Sequence, residues 1–174
     1  MRTRDPARFA CALGLILLAA LALRVAYVLT VTRDDHGFYD ATYYEAEARS
    51  IADGRGFTDP FIFGKTHLGP SAAHPPLIEL VLVPAALLSD DALVMRFEMV
   101  LLGVGVVAAI ALLGRAIADD RVGLVAGGIA AVYPNLWMSD GLIMSETLAM
   151  LLTALALLLV YRIAARPSLG RVAA

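Results

Sequence analysis

Long apolar runs alternate with short charged segments along this chain. Residues 9–31 read FACALGLILLAALALRVAYVLTV and are apolar apart from Arg24. A bilayer core of about 30 Å needs about 20 such residues in a helix. Comparable runs follow at about 92–114, 122–138 and 143–161. Each predicts a membrane span. A shorter run at 76–89, PLIELVLVPAALLS, contains Glu79 and Pro84. At about 1.5 Å per residue it reaches only about 21 Å, and such runs are more often re-entrant or interfacial than spanning. The basic flank and apolar stretch of the first run also suit a secretory signal peptide. Its length, and the lack of a clear A-x-A site before the polar loop, favour a retained span.

Charge sets the count and the orientation. Cytoplasmic flanks carry the Lys/Arg excess. With four spans, the inner segments hold Arg2, Arg4, Arg8, Arg115, Arg121, Arg162, Arg166 and Arg171. The outer loop 32–91 then holds only Arg33, Arg49, Arg55 and Lys65 among many acids. If 76–89 also spanned, Arg162, Arg166 and Arg171 would face outward. The expectation is a multi-pass protein of the cytoplasmic membrane with four spans and its N-terminus inside.

Residues 32–75 are the least apolar part of the chain. Asp40 is a candidate cap for a short helix to about Asp53, with Gly54 at its C′ end. Tyr44, Ala48 and Ile51 share one face, while Glu45, Arg49 and Asp53 fall elsewhere. That pattern predicts an amphipathic helix on the outer membrane surface. In His74-Pro75-Pro76, proline holds the preceding residue extended, and Pro76 suits the opening of a helix. Tyr133-Pro134-Asn135 then breaks the third run. The next segment, SDGLIMSET, carries Asp140 and Glu146 on the same side as the loop.

Composition agrees with a membrane unit. Of the 174 residues 60% are hydrophobic and 17% charged, against about 25% charged in a soluble domain. Fourteen Lys+Arg against sixteen Asp+Glu leave −2, too little positive charge for a nucleic-acid partner. The single cysteine, Cys11, excludes an intramolecular disulfide. The fold class expected is all-α and integral to the membrane: about four spans, one amphipathic juxtamembrane helix, and one short re-entrant or interfacial helix. Residues 1–174 form a single unit in this reading.

Five segments together resemble a known family: LRVAYVL, YDATYYEAEARSIADGRGF, PSAAHPPL, GRAIADDRVGLVAGGIAAVYPNLW and SDGLIMSETL. The chain resembles the GT-C superfamily of membrane glycosyltransferases, specifically the bacterial family 39-like enzymes. Relatives there include protein O-mannosyltransferases and the lipid A aminoarabinose transferase. The resemblance implies transfer of a hexosyl or pentosyl group from a polyprenyl-phosphate donor, outside the cytoplasmic membrane. The acceptor would be a glycan, a lipid or a protein. It matches the family's essential acidic residue to Asp40 and a second acidic position to Glu146. His74 matches a residue, Lys in some relatives, associated with the donor phosphate. Complete members are longer, so the chain is expected to be an N-terminal part, its missing half supplied by a continuation or by a second chain.

The chemistry has two electrostatic demands. An acceptor hydroxyl must lose a proton, and Asp40 is the candidate base. A phosphate leaving group must be stabilised, and His74, Lys65, Arg55 and Arg24 are the candidate cations. Glu146 would orient the acceptor or share a divalent metal ion with Asp40; Mg²⁺ or Mn²⁺ suits oxygen ligands, and His74 would admit Zn²⁺. Arg96 and Glu98 read as mutually compensating charges. The alternative function is a non-catalytic membrane protein that binds a polyprenyl lipid or accompanies a transferase.

Overall fold

The computed structural model describes residues 6–35, 39–61, 69–71 and 73–165. Among them every regular element is helical, apart from a lone antiparallel bridge between Thr58 and Pro70. In chain order these are α1 (Pro6–Tyr27) with a π-helical turn at Val28–Thr32, α2 (Tyr39–Ala52), α3 (Leu77–Leu88), α4 (Ala92–Ile117) and α5 (Asp120–Val132). A 3₁₀ turn at Pro134–Leu136 leads into the single turn α6 (Met138–Gly141) and then α7 (Ser145–Ala165).

Among the described residues, three helical stretches are long and apolar enough to cross a membrane: Pro6–Thr32, Ala92–Ile117 and Ser145–Ala165. The expected count of four therefore falls to three by this measure. The difference is α5, whose 13 residues extend only about 20 Å at about 1.5 Å per residue. The run 122–138 stays apolar, but Tyr133 turns extended at ψ 115° ahead of Pro134, and the helix stops. The residue before a proline is driven out of helical geometry by the ring. Large side chains such as Leu15, Leu18, Leu101, Leu152 and Leu159 remain exposed along the long helices, as expected for a chain solvated by lipid.

α4 is the centre of the bundle. Its glycines let neighbours approach closely. A Cβ on Gly123 of α5 would lie 2.6 Å from the Ala111 carbonyl of α4, so the α4–α5 hairpin needs a glycine there. Asp91 caps α4 by accepting from the Leu93 amide at 2.8 Å, and Asp119 caps α5 through the Val122 amide at 2.9 Å. Such caps satisfy amides with no partner inside the helix. At the hairpin, Arg115 bonds Asp120 at 2.7 Å and lies 4.1 Å from the Phe9 ring centre.

The two ends of the bundle differ in charge. One end carries the start of α1 and the α4–α5 hairpin, with Arg8, Arg115 and Arg121, and the finish of α7 with Arg162. The other gathers the end of α1, the end of α5 and the starts of α4 and α7, together with α2 and α3. Arg96 holds that end together. Its guanidinium donates to the carbonyls of Gly141 and Arg33, each at 3.0 Å, and to that of Asp35.

α2 follows its expected limits. Gly54 takes φ +77°, and its amide bonds the Ile51 carbonyl while the Arg55 amide reaches Ser50. That pair of bonds is a Schellman ending. The apolar face of α2 is covered by α3, whose Ile78 and Leu82 pack with Tyr44 and Ala48. The helix is thus docked on protein along that face.

Candidate functional site

The first turn of α2 carries Asp40 one residue past the helix start, not at a cap position. Its side chain is about half exposed and turns toward His74, with Oδ1 4.0 Å from Nε2. His74 is held as the prolines require. Pro76 supplies the first carbonyl of α3, accepting from the Leu80 amide at 3.2 Å, and this fixes the chain two residues after the histidine.

An aromatic frame surrounds the imidazole. Its ring centre is 4.5 Å from that of Tyr43 and 5.1 Å from that of Tyr44. The Tyr44 hydroxyl lies 3.4 Å from both His74 Nδ1 and Ser145 Oγ. Tyr43 makes a short hydrogen bond with Ser71. These tyrosines are buried, so they act as packed supports for the histidine and not as interfacial anchors.

Ser145 begins α7, and Glu146 follows it, exposed in the first turn. α2, the His-Pro-Pro junction and the start of α7 therefore meet at one end of the bundle. Asp40 and His74 are neighbours there, and Glu146 adjoins the serine that Tyr44 reaches. Among the described residues, no group of three or more His, Cys, Asp or Glu is arranged to hold a metal ion.

The expected phosphate cations are dispersed. Arg24 is fully buried inside the bundle, where Nε bonds Asp140 Oδ2 at 2.8 Å. Its remaining donors reach the carbonyls of Ala20, Ala131 and Leu136. Arg24 thus holds helices together and is withdrawn from any lipid phosphate. Arg55 is half exposed and pairs with Asp53 at 2.9 Å, beyond the far end of α2 from Asp40. Lys65 lies outside the described residues.

Sequence reasoning overlooked two partners of consequence. Asp140 is the counter-ion of Arg24 and also accepts from the Thr147 hydroxyl at 2.7 Å. A lone intramembrane arginine was the available signal, since it calls for a buried acid. The second case is Glu47 on α2 and Glu79 on α3, 2% and 0% exposed. Both carboxyls are pushed up, chiefly by burial, and each lies within electrostatic reach of the other and of His74. Arg96 and Glu98 do not compensate one another. Two positions apart, they point about 200° apart around a helix, and Arg96 is bound to carbonyls instead.

An open cavity of about 560 Å³ lies beside α2, lined by Arg33, Thr42, Glu45, Arg49, Asp91 and Arg96 among others. Thr42, Glu45 and Arg49 sit on the opposite face of α2 from Asp40, Tyr43 and Glu47. The cavity and the Asp40–His74 pair are separate features. Comparison with protein families, characterised proteins and solved structures finds no match to the chain.

Proposed function

We propose that the protein is a membrane glycosyltransferase of GT-C type that draws its sugar from a polyprenyl-phosphate carrier on the outer face of the cytoplasmic membrane. The observation that carries this reading is the pairing of Asp40 with His74 at the end of the bundle opposite Arg115, Arg121 and Arg162. The excess of arginine at that opposite end supports an inner location for it, and hence an outer location for the pair. In the proposed topology α5, the 3₁₀ turn and α6 complete a broken fourth crossing.

In the proposed reaction Asp40 takes the proton from an acceptor hydroxyl. The acceptor oxygen bonds to the anomeric carbon, and the bond from that carbon to the phosphate oxygen breaks with the electron pair leaving on phosphate. His74 is the candidate contact for that phosphate. Tyr43 and Tyr44 orient its ring, and Glu146 is the candidate for orienting the acceptor.

The test is transfer of labelled sugar from a polyprenyl-phosphate donor in membranes that contain the protein. Asp40→Asn is expected to lower the rate by about 10²–10⁴-fold, the usual contribution of a general base. Undiminished transfer by Asp40→Asn overturns the assignment. Lipid binding with no turnover, equal in Asp40→Asn and wild type, favours a non-catalytic lipid-binding role.

A further inference from the structure

Glu47 and Glu79 are almost fully buried, and three of their four carboxyl oxygens have no hydrogen-bond partner among the described residues. They face each other across the α2–α3 contact, among the packed side chains of Tyr44, Ala48, Ile78 and Leu82. Both oxygens of Glu79, and Oε1 of Glu47, have no hydrogen-bond partner. Among the described residues, neither carboxylate is paired with an arginine. Arg49, on the same helix as Glu47, is bound to Glu45, Asp90 and the Ser89 carbonyl. Two ionised carboxylates offer only acceptors to one another. A buried pair of like charges is strongly unfavourable, and one added proton turns it into a donor and an acceptor.

We propose that Glu47 and Glu79 form a proton-binding site that latches α2 to α3, and that release of its proton drives these two helices apart. The ligand is a proton, since the pair is enclosed and, among the described residues, no group of three or more His, Cys, Asp or Glu is arranged to hold a metal ion. The groups facing the pair are the Tyr43 hydroxyl, Asp59 from the loop after α2, and His74. On the α4 side, Glu98 lies against α3 at Ala85, farther along that helix. Asp59 opposes ionisation of Glu47, whereas Tyr43 and His74 favour it.

The latch has a geometric consequence. Asp40 rides on the first turn of α2, and His74 sits just ahead of α3. Their separation is therefore set by the contact that the shared proton closes. This holds whether or not the protein transfers sugar.

Two measurements on the full chain in lipid nanodiscs test it. The first is the infrared C=O stretch of protonated carboxyls at neutral pH. Wild type is expected to show a component that Glu79→Gln removes. The second is the distance between spin labels at Ala46→Cys and Ala86→Cys in a Cys11→Ala background, read from about pH 5 to about pH 9. That distance is expected to lengthen with rising pH in wild type and to stay constant in Glu79→Gln, whose amide donates to Glu47 without a proton to lose. Equal infrared spectra, or the same pH-dependent lengthening in Glu79→Gln, overturns the proposal. If Glu79→Gln does not fold, Glu47→Gln gives the same readouts. If neither folds, a wild-type distance that stays constant over that range overturns it.

Discussion

Two places in this bundle bury acidic side chains completely, and they are built on opposite plans. At Asp140 the carboxylate meets the Arg24 guanidinium and the Thr147 hydroxyl, and Arg24 spends its other donors on three carbonyls. Charge and hydrogen bonds both close. At Glu47 and Glu79 two acids meet with no arginine, and three of their four oxygens lack partners. Burial is equal in the two places; compensation is not. The lesson is that burial alone does not tell a fastening from a responsive site. The number of donors left over does.

The largest expected effect comes from opening the closed site on one side only. Arg24→Met should destabilise the protein by about 3–5 kcal/mol, because it strands a buried carboxylate. Unfolding by denaturant in micelles measures this. The double variant Arg24→Met/Asp140→Leu should recover most of the loss, as apolar replacements of buried ion pairs often do. A double variant as unstable as Arg24→Met would show that the helices need the ion pair itself.

Space for that pair comes from a glycine. A Cβ on Gly103 would strike the Asp140 carboxylate and lie 2.9 Å from Arg24 Nε. Gly103→Ala should therefore cost about 1–3 kcal/mol, the range for overpacking a filled interior. The same substitution at Gly128, which has open space around it, is the control. A gentler expectation concerns pH. Glu47 and Glu79 are both raised, chiefly by burial, so the folded state binds their protons more tightly than the unfolded chain does. Their contribution to stability is full below the ordinary carboxyl range and is lost as pH rises through the raised one. The thermal unfolding temperature should fall as pH rises through that range, and Glu79→Gln should flatten the fall.

The smallest effect belongs to the exposed pair on the other face of α2. Arg49 and Glu45 are four residues apart and bond at 2.9 Å with both side chains partly solvated. Glu45→Gln should change stability by no more than about 0.5 kcal/mol. A larger loss would mean that the wall of the neighbouring cavity depends on this pair.

These contrasts also explain what could be read along the chain. Gly54 and the His-Pro-Pro junction acted where their backbone chemistry required, and the long apolar runs became helices. The third run was overdrawn because hydropathy continues through Pro134 while helical geometry does not. The Arg24–Asp140 bond joins positions 116 residues apart, and no local pattern encodes such a partner. Glu47 and Glu79 were hidden for a different reason. Each lies in a segment whose polar or apolar average masks a single inward-facing acid. The meeting of Asp40 with His74 was anticipated as a shared membrane face, but their spacing depends on how α2 packs on α3, which is a tertiary matter.

The distance in sequence between Arg24 and Asp140 also bears on how the protein is made. A ribosome adding about 5–20 residues per second leaves the arginine without its acid for roughly 6–23 s. In the proposed membrane topology, the first helix holds throughout that interval a charge that hydrocarbon rejects. Biogenesis must therefore keep this helix beside the insertion machinery, or tilted so that the guanidinium reaches water, until the sixth helical segment emerges. Commitment of the first helix to its final depth is consequently a late event in synthesis, despite its place at the front of the chain.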